Sequence, residues 1–456
     1  MFKMVKKSMA MAWPLVGSRL LVALTNFFSM WLVASQGSLY LAAAALIFVM
    51  QTAITVVMSS VLFAISPIVG RAFGSQDYQK VGSVTQQGWF ISIWLTLPTI
   101  VVLWFSKDIL IQFGQVPALA QIVGDYFHVT VWGIIPMFFF STNQMVMAGV
   151  GQQRLAFAAS LVAAATLVVV AYPLTHGHFG LPALGIIGVA VGMSASMWAG
   201  FLFSLIYSFR LKNFEKFEFF RWRLKSSWGY LKQILMIGWP ISMQVGSELF
   251  AWFTVTLLIG WLGDQALEAR QIVSQFNILV IIPVMGLAQA SSILIGQASG
   301  AKQYHLVKRL GFTHITMGAV LMFVVLIIYC SIPQTLIRVF LNPLDSQNAL
   351  VAHWAVILFV LSGIMLIFDT MRNIVMGSLR GLYDSRYPMM ISVIMIWLIG
   401  LPLGYHLAFS EGLGVVGFAI SDMVGALCAA LILVWRWHMR VNILMAKADL
   451  SDATAK

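Results

Sequence analysis

The sequence predicts an all-α polytopic membrane protein with twelve transmembrane helices in two pseudo-symmetric six-helix lobes. Composition, evenly recurring apolar runs and an internal repeat predict it. Of 456 residues, 60% are hydrophobic and only 9% are charged, with mean hydropathy +0.91. Soluble domains carry about 25% charged residues, so lipid is the solvent for most of this surface. Runs able to cross about 30 Å of hydrocarbon lie at 11–34, 41–70, 88–105, 126–150, 155–174, 184–209, 234–262, 267–298, 310–332, 350–378, 388–408 and 412–437. Each is read as a helix, because an open strand in lipid leaves its backbone polar groups unpaired.

The net charge of +12 follows topology and not nucleic-acid binding. With the N-terminus inside, all but five of the 27 Lys and Arg fall in cytoplasmic segments. Lys3, Lys6 and Lys7 open the chain, and more crowd the stretch "RLKNFEKFEFFRWRLKSSWGYLK". Lys107, Arg270 and Arg338 fall outside, and Arg19 and Arg372 lie within spans. This bias predicts a bacterial inner-membrane protein with both termini cytoplasmic. The expected parts are an N-terminal lobe (1–209), a basic cytoplasmic linker (210–232), a C-terminal lobe (233–437) and a cytoplasmic tail (438–456). Cys330 and Cys428 lie in apolar spans and read as small buried hydrophobes.

The basic start, the apolar run and "LVASQG" could pass for a secretory signal. The repeat argues against that. Trp13–Pro14 returns as Trp239–Pro240, and Leu41 and Ala43 return as Leu267 and Ala269, 226 positions on. "SPIVGRAFGSQDYQKV" (66–81) returns as "SILIGQASGAKQYHLV" (292–307) at the same offset, and Pro173–Leu174 returns as Pro402–Leu403 at 229. The first span is thus a structural copy of the seventh. Six spans per half give both halves the same orientation, the parallel-repeat form of secondary transporters, with cargo expected near the midplane.

Three of the 15 acidic residues lie well inside spans: Glu248, Asp369 and Asp422. From Lys232 to Glu248 is roughly 24 Å along a helix, and from Asp369 to Arg380 roughly 16 Å. A carboxylate at that depth costs about 2.5–3.5 kcal/mol on insertion scales, which makes it a functional candidate. Such a group can take up and release a proton. Alternatively, two carboxylates facing hydroxyl and carbonyl oxygens can hold dehydrated Na⁺, which would make Glu248 and Asp369 its ligands. Arg372 shares a helix face with Asp369 and could neutralise it or modulate the site. Asp422 reads equally as functional or structural. Arg19 either snorkels toward the cytoplasmic face or points into the cavity, where it would favour anionic cargo. Ser29, Gln275 and Asn277 complete the set of candidate cavity residues. Pro14, Pro240 and Pro283 can break the helical ladder and allow bending. Phe, Trp and Met side chains on the cavity wall suit varied apolar or cationic cargo. No nucleotide-binding or hydrolase motif is present, so no enzyme activity and no cofactor beyond a coupling ion, Na⁺ or H⁺, is expected.

The residues resemble a known group. "LPALGIIGVAVG" (181–192), "GLAQASSILIGQASGAKQ" (286–303) and above all "SLRGLYDSRYPM" (378–389) are similar to segments of the multidrug and toxic compound extrusion (MATE) family. The likeness spans nearly the whole chain and is greatest to the NorM-like branch. It implies a V-shaped MATE/MOP fold and a multidrug antiporter, acting as a monomer, that exports organic, often cationic, drugs for Na⁺ or H⁺ by alternating access. It also implies a C-lobe cation site at Glu248 and Asp369. The chain departs from the family at Ser29, where many bacterial members carry an aspartate, so coupling should rest on the C-lobe pair. The alternative is a lipid-linked or anionic-metabolite exporter of the same superfamily. Small molecules and membrane lipid are the expected partners, and nucleic acid is not.

Overall fold

The computed structural model describes residues 2–210, 216–217, 228–342, 345 and 348–454. Most of the expected linker 210–232 therefore lies outside the described residues. Regular structure among the described residues is helical throughout. Among the described residues, twelve helices are long and apolar enough to cross a membrane: α1 (Met4–Ala34), α2 (Ser38–Gly74), α3 (Tyr78–Trp104), α4 (Pro117–Gly149), α5 (Gln153–His176), α6 (Ile186–Ser208), α7 (Trp228–Gly260), α8 (Asp264–Gly300), α9 (Tyr304–Ser331), α10 (Ala349–Gly381), α11 (Arg386–Ser410) and α12 (Val415–Ala446). Each contains most of one predicted span, and several run further. Hydropathy marks only the lipid-crossing window, whereas backbone hydrogen bonding continues through polar ends. The last helix continues to Thr454 through most of the segment read as a tail. Helices α1, α7 and α8 run on through Pro14, Pro240 and Pro283 without ending there.

The chain forms two compact units, Trp13–Ser242 and Met243–Lys456 with Met1–Ala12. The division falls inside α7. In the first unit α4 packs on α3 and α6, and in the second α10 packs on α9 and α12, so equivalent pairs recur. The backbone repeats as well. Gln76 (φ 59°) and Lys302 (φ 57°) both adopt the left-handed conformation, as do Gly37 (φ 132°) and Gly263 (φ 109°). A side chain in that region is strained. Its return at the same offset shows that the two halves share turn geometry as well as hydropathy.

Close helix approach repeats in the same way. A Cβ on Gly149 would sit 2.9 Å from the Ser66 carbonyl oxygen, and one on Gly381 would sit 2.6 Å from that of Ser292. Gly381→Ala is therefore expected to push α10 from α8 and to cost about 1–3 kcal/mol, read as a lower thermal midpoint in detergent. An unchanged midpoint would show that the crossing tolerates a methyl group.

The core of the second unit is aromatic at its centre. Tyr329 and Phe359 meet edge-on at 4.9 Å, and Phe359 and Phe418 are fully buried. Large apolar side chains such as Trp94, Phe253 and Trp261 are exposed, as expected where lipid replaces water. Cys330 departs from the expectation: it is exposed near the end of α9, and Cys428 is half-buried. In lipid an apolar thiol has no need to face the core.

Candidate functional site

The candidate site is a cavity of about 360 Å³ inside the second unit, bounded by α7, α8, α10, α11 and α12. Its charged lining residues are Glu248, Arg270, Asp369, Arg372 and Asp422. Helix periodicity explains how α7 and α10 present theirs. Gln244 and Glu248 are one turn apart on α7, and Asp369, Arg372 and Asn373 lie within one turn of α10.

Arg372 joins the two acids. Its Nη1 donates to Glu248 Oε1 at 2.7 Å, its Nε to Asp369 Oδ1 at 2.9 Å, and its Nη2 lies 2.7 Å from the same oxygen. Asn373 Nδ2 donates to Asp369 Oδ2 at 2.9 Å, and Gln244 Nε2 donates to Glu248 Oε1 at 3.1 Å. The orientations of both amides are set by further contacts. Asn373 Nδ2 also donates to the Asp369 carbonyl at 2.9 Å, while Gln244 Oε1 accepts from Arg380 Nη2 at 3.0 Å. The Arg372 side chain is only 13% exposed, against 30% for Glu248. Both are charged groups held largely away from solvent, where pairing is what makes them tolerable.

A second pair closes another part of the cavity: Arg270 Nη2 donates to Asp422 Oδ2 at 3.0 Å. Next to Asp422, Ser421 Oγ donates to the Gly400 carbonyl at 2.7 Å. That carbonyl ends the first of two π-type turns in α11, over 395–400 and 406–410. Such turns recur at functional sites. Here Met395, Ile396 and Gly400 of the first wide turn line the cavity. Trp252, Ile281 and Met365 add apolar wall, and Asn277 accepts from the Tyr329 hydroxyl at 3.1 Å.

The structure thus brings together Glu248, Asp369, Arg372, Asp422 and Asn277. Gln275 is exposed and does not line the cavity, because it lies on another face of α8 than Ser274 and Asn277. Ser29 and Arg19 belong to the first unit. Ser29 is buried, and its hydroxyl has no hydrogen-bond partner among the described residues. Arg19 is half-buried with its guanidinium 5.9 Å from the Phe63 ring centroid, within cation–π range.

Arg270 is the functional candidate that sequence reasoning missed. The charge count placed it on the outer side, whereas its side chain turns into the cavity. The signal was the spacing Arg270, Ser274, Asn277, Ile281, one continuous stripe of α8 that all lines the cavity. The motif "SLRGLYDSRYPM" has a different part. Asp384, 7% exposed, accepts from Arg436 Nε at 3.0 Å and Arg440 Nε at 2.9 Å, tying the α10–α11 turn to α12. Among the described residues, no group of three or more His, Cys, Asp or Glu could hold a metal ion.

Known proteins match this chain over nearly its whole length. A "Probable multidrug resistance protein NorM" of Rhizobium meliloti is 29% identical over 432 residues, covering 95% of this chain and 92% of that protein. A solved structure described as MATE in the bent conformation superposes with a TM-score of 0.89 at 18% identity, covering 97% of both chains. Another, an outward-facing multidrug resistance MATE family transporter of the MOP superfamily, superposes at 0.86 with 18% identity, covering 97% of this chain and 96% of that one. At those identities the superpositions speak for the fold. The family model MatE matches residues 14–173 and 240–406, both halves of the repeat. With twelve helices long and apolar enough to cross a membrane among the described residues, and with its duplicated half, the chain is an integral membrane protein that belongs to the MatE family.

Proposed function

We propose that this chain is a secondary active multidrug exporter, moving organic and often cationic compounds outward in exchange for Na⁺ or H⁺. It works in the bacterial inner membrane with both termini cytoplasmic, by alternating access of its two halves. The carrying observation is that three carboxylates, Glu248, Asp369 and Asp422, and two guanidiniums, Arg270 and Arg372, line one cavity among helices long and apolar enough to cross a membrane. The formal excess is one negative charge, which favours a cationic over an anionic occupant. Both arginines are already engaged by acids, which weighs against the lipid-linked or anionic-metabolite alternative. Trp252 and the methionines supply apolar and polarisable wall for varied cargo. The relatives named multidrug resistance proteins support the same reading.

The test is efflux of ethidium or a fluoroquinolone from cells lacking other pumps, followed by transport in proteoliposomes under separate Na⁺ and H⁺ gradients. Efflux that appears with the protein and collapses when both gradients are removed is the expected result. Accumulation unaffected by the protein, for all cationic probes, would overturn the reading.

A further inference from the structure

The acid pair that the family resemblance marks for an exchanged cation already holds one. We propose that Arg372 is the resident cation of the Glu248–Asp369 pair, and that the pair is shaped for a planar guanidinium or amidinium head and not for a bare alkali ion. The inference rests on the reading that exchanged cations bind in this cavity.

The donors and acceptors carry it. A guanidinium offers five N–H groups in a rigid plane and keeps its charge in proteins. Nε and Nη2 of Arg372 converge on Asp369 while Nη1 reaches across to Glu248 on another helix. One rigid fork thus spans both acids. A hard cation instead needs several oxygens closing around one point. The neighbours of these carboxylates are hydrogen-bond donors. Asn373 Nδ2 faces Asp369 Oδ2, and Gln244 Nε2 faces Glu248 Oε1. Neither amide can turn its oxygen inward without losing its other contact, to the Asp369 carbonyl or to Arg380. Ser392 Oγ lies 3.3 Å from Arg372 Nη1 and so serves the guanidinium too. Glu248 Oε2 is the one oxygen of the pair without a hydrogen-bond donor among the described residues. An alkali ion placed here would meet a fixed positive charge and a ring of N–H groups. A ligand with a guanidinium or amidinium head could take the contacts of Arg372 one for one.

The experiment measures ²²Na⁺ binding to the purified full-length protein in lipid nanodiscs. Wild type is expected to show no saturable Na⁺ site that depends on Glu248. Arg372→Ala is expected to gain one, raising Glu248-dependent Na⁺ binding at a fixed concentration by at least about tenfold because a like charge beside the ion is gone, and adding Glu248→Gln should remove it again. Free guanidinium at low millimolar concentration should displace Na⁺ from Arg372→Ala, whereas tetramethylammonium, which lacks N–H groups, should not. Should Arg372→Ala fail to fold, Arg372→Lys takes its place, since a compact ammonium lacks the planar five-donor fork that meets both acids here and should admit Na⁺ more readily than arginine. Glu248-dependent Na⁺ binding in wild type, equal displacement by the two organic cations, or a folded Arg372→Lys that excludes Na⁺ as fully as wild type would each overturn the inference. Those outcomes leave the efflux reading standing. That reading instead falls if the chain moves no cation under any gradient, whatever Na⁺ binding shows.

Discussion

Glu248→Gln and Asp369→Asn are each expected to lower ion-driven efflux by about tenfold or more, the scale of losing one charge-assisted interaction of about 1.4 kcal/mol or more. Both substitutions keep side-chain size while removing the charge that draws a cation into the cavity. Neither should unfold the protein, because Arg372 retains the other acid as a partner: Asp369 through Nε and Nη2, or Glu248 through Nη1. The formal excess of negative charge among the cavity residues would fall to zero in either variant. Cargo accumulation in inverted vesicles, normalised to protein present in the membrane, measures the effect. If both variants transport at the wild-type rate under every gradient, the charge of the pair plays no part in drawing the exported cation into the cavity.

Removing the guanidinium should act on stability first. Arg372→Ala leaves two largely buried carboxylates facing each other without a counter-charge, and breaking a buried pair from one side costs about 3–5 kcal/mol. Replacing all three charges together, as in Arg372→Met with Glu248→Gln and Asp369→Asn, should recover most of that loss, because no buried charge is then left unpaired. The comparison is made as rates of thermal inactivation in detergent, a suitable quantity where unfolding is irreversible. A triple variant as unstable as Arg372→Ala would mean that Arg372 contributes packing and not charge balance.

Part of the site was legible before any coordinates. A carboxylate deep in an apolar run is rare, so Glu248 and Asp369 stood out by depth alone, and Arg372 by its spacing from Asp369. The direction of each side chain was not legible. Arg270 is the clearest case: position along the chain put it near a surface, whereas the rotation of α8 turned it toward Asp422. Asp384 shows the opposite. The motif around it carried the family resemblance, and the structure uses Asp384 to fasten α12 through Arg436 and Arg440.

Helix count, the duplicated half and the residues too costly to bury without a reason were all readable along the chain. These follow from length, hydropathy and repetition, all of which are local or periodic along the chain. Tertiary structure alone decided which charges meet. The partners Glu248 and Arg372, or Arg270 and Asp422, are far apart in sequence, and their meeting depends on which face each helix turns inward. In water an apolar stripe would announce that face. In lipid the outward face is apolar as well, so the periodicity that marks a soluble core is flattened. The inward register of α7, α8, α10 and α12 is then set by packing, seen here in the close approach of Gly381 to the Ser292 carbonyl and in the wide turns of α11.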